Sequence, residues 1–111
     1  MSTPDPRLSI NQATIKYADL ATALRTTAEV GVEAIGLWRE PVHEVGLETA
    51  ARMLTDSGLR FTTHCRGGFF TLPEGPARRA AIDENRVAID EAATLAAAGA
   101  AGSTAILVLV A

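Results

Sequence analysis

Cysteine is nearly absent from this sequence. Cys65 stands alone, which excludes an internal disulfide and a zinc cluster built on cysteine. Histidine is scarce as well. His43 and His64 are the only two, and they form no ligand pair at a recognisable spacing, so no metal site is expected from this chain alone. An excess of positive charge is missing: ten basic residues face thirteen acidic ones, mixed in sign along the chain. Without a basic stripe to neutralise a phosphate backbone, nucleic acid is not an expected partner. Long apolar runs are missing too. Residues 92–101 are rich in Ala and Gly, and residues 105–111 are too few to cross a bilayer. Residues 1–7 hold two prolines and no apolar stretch of the secretory kind, so the expected location is the cytoplasm, with no membrane partner.

What remains is 111 residues, 48% apolar and 21% charged, the profile of one small packed domain over 1–111. Residues 8–13 read as a short strand. Residues 17–30 show helical spacing, with Leu20, Leu24 and Ala28 on one face, Arg25 and Glu29 at i,i+4, and Gly31 as the stop. Residues 32–38 read as a second strand and 39–43 as a loop. Residues 44–57 read as a helix with Leu47, Ala51 and Leu54 inward, Glu48 paired with Arg52, and Gly58 ending it. A third strand is expected over 59–64 and a long glycine-bearing loop over 65–75. The longest helix spans 77–98, with Ile82, Ile89, Ala93 and Ala96 as its inward stripe and Arg79–Asp83 and Arg86–Asp90 as charge pairs. A fully apolar strand over 104–110 comes last.

The order βαβαβαβ, with glycine at each helix-to-strand junction, predicts right-handed crossovers and a parallel sheet. In such proteins ligands sit beyond the C-terminal strand ends, which points to residues 11–16, 38–43 and 64–75. A doubly wound domain carries a glycine-rich phosphate loop after its first strand, and residues 11–14 contain no glycine. A last strand this greasy calls for cover on both faces and both edges. Together these favour the first half of a (β/α)8 barrel, a partial domain.

Four segments carry a resemblance: Leu8-Ser9-Ile10-Asn11-Gln12, Val32-Glu33-Ala34-Ile35-Gly36-Leu37-Trp38-Arg39-Glu40, His64-Cys65-Arg66-Gly67-Gly68-Phe69-Phe70-Thr71 and Asn85-Arg86-Val87-Ala88-Ile89-Asp90-Glu91-Ala92. The chain resembles the sugar phosphate isomerase/epimerase family. These are xylose-isomerase-like TIM barrels, related in fold to the hydroxypyruvate isomerases, inosose dehydratases and endonuclease IV. The resemblance implies three β/α units and a fourth strand of a barrel of about 250 residues. It also implies a sugar or sugar phosphate as substrate and a divalent metal (Mn or Mg). The family's Glu, Asp, His and Glu metal ligands lie on later strands and are not in this chain, so no catalytic residue carries over. The junction at 95–104 is longer and richer in Ala and Gly than the family pattern.

Several residues bear on binding, each with a plainer alternative. His64, at a strand end, suits a hydrogen bond to a substrate hydroxyl or a place behind a metal ligand; equally it suits a buried ring bonded to a backbone carbonyl. Arg66 beside Gly67-Gly68 suits an anionic group, or a salt bridge to Glu40 or Glu74. Trp38 offers a flat wall for a sugar face, or core packing at a barrel mouth. Asn11 suits a hydroxyl, though asparagine there more often forms a turn. Phe69 and Phe70 cap a pocket or anchor the loop. Cys65 as a nucleophile implies a sulfurtransferase-like enzyme, but its loop does not open into a helix, and a small structural thiol fits better. Asn85, Arg86, Asp90 and Glu91 read as a solvated helix face. A second functional reading is an α/β half-barrel module without catalysis that self-associates into a homo-oligomer through its strand edges.

Overall fold

The computed structural model describes residues 5–111, and part of the proline-bearing lead, residues 1–4, lies outside that range. Four strands form one parallel sheet in the order β1-β2-β3-β4: β1 (Ile10–Asn11), β2 (Ala34–Trp38), β3 (Arg60–Gly68) and β4 (Leu107–Val110). The helices are α1 (Leu20–Glu29), α2 (Arg39–Val45), α3 (Leu47–Ser57) and α4 (Pro76–Ala98), and a 3-10 turn over Gln12–Ile15 follows β1. Strands laid down in chain order by crossovers of one hand place every helix on the same side of the sheet. One apolar cluster bears this out, joining Leu20 and Leu24 of α1, Val42 of α2, Leu54 of α3 and Leu95 of α4 to Ile35, Leu37 and Phe61. The arrangement is that of a half barrel, and the opposite face of the sheet carries no helix among the described residues.

Several boundaries differ from the sequence reading. The segment 39–43, expected as a loop, is the start of α2. Pro41 is its third residue, within the first turn, where a backbone N–H has no helical acceptor to lose, so proline is no breaker there. Gly46 then divides α2 from α3 at φ 88°, ψ 149°, a conformation other residues strongly resist. β3 extends to Gly68 rather than ending at His64, and two register shifts accommodate the extra length. β1 is only two residues long, because Asn11 turns the chain by accepting the Ala13 N–H at 3.1 Å.

The inward stripe of α4 also differs. Ile82 and Ile89 are exposed, and the buried face is Asn85, Ala88, Glu91, Ala92 and Leu95. Alanines and two partnered polar groups pack closer to the sheet than branched isoleucines would. Ala28 of α1 is exposed, its place on the buried face taken by Thr27, whose hydroxyl donates to the Ala23 carbonyl at 2.8 Å. Of the expected charge pairs, Arg25–Glu29 forms at 3.8 Å, while Arg86 pairs with Asp83 and Arg52 donates to Thr49. β4 lies at the sheet edge with Ile106 and Leu109 half exposed, in place of the full cover its composition calls for.

Candidate functional site

Strand register sets the level at which the polar groups meet. Leu37 near the end of β2, His64 within β3 and Leu107 at the start of β4 are register partners. Leu37 belongs to the helix-side cluster, and parallel partners project to the same side, so His64 points toward the helices. It is fully buried, its ring 6.1 Å from that of Phe61. Facing it from α4 is Glu91, one turn before the core residue Leu95. Arg39 and His43 stand at i,i+4 on α2, so their side chains reach the same carboxylate.

Glu91 accepts four contacts. Its Oε1 receives Arg39 Nε at 2.8 Å and His64 Nε2 at 2.9 Å, and its Oε2 receives His43 Nε2 at 2.8 Å and Arg39 Nη2 at 3.3 Å. Arg39 Nη2 also donates to Glu84 Oε1 at 2.6 Å, two helical turns earlier on α4. Burial opposes charging Glu91, yet Arg39, then His64, then His43 outweigh it and hold the carboxyl at about 2. Arg39 is raised in turn, chiefly by its hydrogen bond to Glu91. An ionised carboxylate only accepts, so the His64 proton sits on Nε2. Burial lowers the His64 pKa despite Glu91, keeping the ring neutral, and its Nδ1 lone pair is left buried without a donor. Both oxygens of the Glu91 carboxylate are engaged by donors from Arg39, His43 and His64. Glu91 is an orienting anchor that ties α2, β3 and α4 together.

The residues singled out in the sequence divide between the two faces. Asn11 pairs in register with Gly36, and Trp38 with Cys65. The alternation that puts Ile35 and Leu37 toward the helices puts these on the open face. Asn11 spends its carbonyl oxygen on the 3-10 turn, the plainer of its two roles. Trp38 is half-buried, and its backbone N–H donates to the buried side chain of Gln12 at 3.1 Å. Arg66 is exposed, 5.7 Å over the ring of Phe69, and makes no ion pair with Glu40 or Glu74. Cys65 is half-buried between the levels of Trp38 and Val108. His64, by contrast, is on the helix side, bonded to a carboxylate rather than a backbone carbonyl. The structure thus places Asn11 and Trp38 on the open face, leaves Arg66 exposed near the end of β3, and sets His64 apart on the helix side.

Asn85 and Glu91, expected as solvated, are the main departures. Asn85 accepts the Gly68 N–H at 2.6 Å and donates to the Gly68 and Ala81 carbonyls at 2.8 and 2.7 Å, pinning the end of β3. Gly68, at φ 105°, lies so close to β4 that a Cβ would strike the Val110 carbonyl. The signal that could have found this site is spacing: Arg39 and His43 at i,i+4, and Glu84 and Glu91 at i,i+7, each pair on one helical face.

The divalent metal implied by the resemblance does not fit these residues. No three His, Cys, Asp or Glu among the described residues are arranged to hold one. Where Glu91, His43 and His64 do converge, both carboxylate oxygens are engaged by donors, one of them a guanidinium. No helix among the described residues is long and apolar enough to cross a membrane.

No family model matches the chain, and no curated protein does. Among solved structures it is similar to the crystal structure of protein SMc04130 from Sinorhizobium meliloti 1021, with 46% identity and a TM-score of 0.75. The match covers 79% of this chain and 32% of that one, so the chain corresponds to about a third of its neighbour's length.

Proposed function

We propose that this chain is part of the substrate-binding wall of a barrel-type isomerase or epimerase acting on a sugar or sugar phosphate. The observation that carries the reading is the one-sided sheet. All four helices pack on one face, leaving Trp38 and Asn11 on the other at the C-terminal strand ends, and Arg66 is exposed near the end of β3. Ligands of β/α barrels bind at that end. Trp38 offers an apolar plane to the C–H face of a sugar, and Arg66 a bidentate cation to a phosphate. His64 and Glu91 act as positioning residues that fix the strand ends from behind. The reaction implied by the resemblance shifts hydrogen between adjacent sugar carbons, and this chain supplies none of its acid/base groups.

The test is binding. Titrating the 111-residue protein with sugar phosphates quenches Trp38 fluorescence in the millimolar range, and Arg66→Ala weakens phosphorylated sugars but not neutral ones. Unchanged fluorescence with every sugar at saturating levels overturns the reading. A turnover assay with Mn2+ and a sugar panel is expected to show no isomerisation by this chain, and real rates would contradict that.

The apolar edge of β4, with Ile106 and Leu109 half exposed, favours the second reading, a module that self-associates. Sedimentation distinguishes them: a discrete dimer that binds no sugar supports the module.

A further inference from the structure

Gly36 carries no side chain in the middle of β2, and β3 carries one residue too many beside it. Ile35 pairs with Phe61 and Leu37 with His64, so Thr62 and Thr63 together oppose Gly36, a bulge in β3. A Cβ at Gly36 would stand 2.5 Å from Thr63 Oγ1 and 3.5 Å from Thr62 Oγ1. Gly36 alternates with Ile35 and Leu37 of the helix-side cluster, so that Cβ would point to the open face. Both threonine hydroxyls therefore lie over β2 on the face that carries no helix among the described residues. They are not equivalent. Thr62 Oγ1 is bonded to Ser9 Oγ at 2.8 Å. Thr63 is half-buried, and its hydroxyl has no hydrogen-bond partner among the described residues. Asn11, the register partner of Gly36 on β1, flanks the same spot from the other side, its oxygen engaged by the Ala13 N–H. Trp38 follows two residues after Gly36 on the same face, roughly 7 Å further along the strand.

We infer that Thr63 is a specificity-determining residue of the proposed sugar site, its hydroxyl reading one hydroxyl group of the substrate on the floor beside Trp38. The inference rests on the sugar-binding reading and adds the substrate's class: a sugar with a free hydroxyl at one defined position, told apart from its deoxy analogue. A threonine hydroxyl donates one hydrogen bond and accepts others, so it matches a sugar hydroxyl in either sense. An aliphatic floor would take sugar and deoxysugar nearly alike, whereas an unpaired polar group rejects the analogue that cannot complete its bond. The bulge aims the hydroxyl, and the glycine leaves room for it.

Titration of Trp38 fluorescence with D-glucose 6-phosphate, D-fructose 6-phosphate and their monodeoxy analogues tests the inference. The wild type is expected to bind a parent sugar about fivefold more tightly than the analogue lacking the hydroxyl that Thr63 meets, the worth of one hydrogen bond. Thr63→Val keeps the shape and should bind that parent and analogue equally, while Thr63→Ser, which keeps the hydroxyl, restores the preference. The urea midpoint of Thr63→Val should match the wild type, because its hydroxyl fastens nothing in the free protein. A fall in that midpoint with the preference retained marks a structural residue and overturns the inference. Sugar binding that Thr63→Val leaves unchanged, or weakens equally for parents and all analogues, overturns it too while the sugar site stands. Binding of no sugar at all overturns both.

Discussion

Glu91→Gln tests the central anchor with the smallest change of shape. The amide is isosteric but neutral, and its NH2 group faces donors from Arg39 and one histidine, His64 or His43, in either orientation. Removing one partner of a buried pair costs about 3–5 kcal/mol, chiefly from the charge left behind. Arg39 keeps Glu84, itself well exposed, so a loss of about 2–4 kcal/mol is expected. Linkage gives an independent figure. A carboxyl moved from 4.5 to about 2 contributes at most about 3 kcal/mol at neutral pH. Because the folded value is depressed, that stability is complete above the unfolded value and drains away as pH falls through the folded one, between about pH 5 and 2. Urea unfolding followed by circular dichroism, at pH 7 and again near pH 3, reads both effects. The wild type and Glu91→Gln should differ at pH 7 and converge in acid. Equal urea midpoints at pH 7, or a gap that persists unchanged at pH 3, would refute the assignment of Glu91 as a buried, charged anchor.

Other substitutions probe separate parts of the fold. Asn85→Ala strands the Gly68 N–H and carbonyl and should cost about 2–3 kcal/mol in urea unfolding, against under about 0.5 for the neighbouring Arg86→Ala. Gly46→Ala meets no atom but is forced into a glycine-only backbone region, for about 1–3 kcal/mol, whereas Gly68→Ala adds a collision with β4 and should unfold the protein outright. His64 is lowered from 6.5 by burial, so the unfolded chain takes up a proton that the folded chain refuses. Stability should therefore start to fall as pH drops below about 6.5, and His64→Phe should flatten that limb of the pH profile while leaving a smaller Glu91 limb below about pH 5, since Arg39 and His43 still hold the carboxylate.

The strand order and the parallel sheet were legible because crossover rules and glycine-marked junctions act locally. The segment 39–45 was not, since Pro41 signals a loop by residue type and permits a helix by position, and only the first-turn placement decides. The α4 face was misjudged for a related reason. Isoleucines at 82 and 89 define an apolar stripe, but the helix is rotated so that Asn85 and Glu91 face the sheet. Their burial is tolerable only because Gly68, Arg39, His43 and His64 complete their hydrogen bonds, and none of those partners lies on α4. A single-element periodicity cannot see them.

That rotation also explains where the polar groups sit. α4 runs back against the strands, so its first half lies beside their C-terminal ends and its last turns beside their N-terminal ends. Its buried residues run Asn85, Ala88, Glu91, Ala92 and Leu95, so Asn85 lies in the first half, Glu91 past the middle and Leu95 in the apolar core. Apolar packing holds a helix to a sheet but tolerates small slips along it, since dispersion contacts are many and weak. Directed hydrogen bonds from Glu91 and Asn85 fix the same elements to within the geometry of a donor and an acceptor. The far end has directed bonds of its own, Thr55 Oγ1 donating to the Ala98 carbonyl at 2.8 Å and the Phe61 N–H to Ser103 Oγ at 2.9 Å, whereas Glu91 holds His64, the β3 neighbour of Trp38's register partner Cys65. Loosening Glu91 should accordingly disturb Trp38 more than Leu59, a difference that hydrogen exchange at their two amides would measure directly.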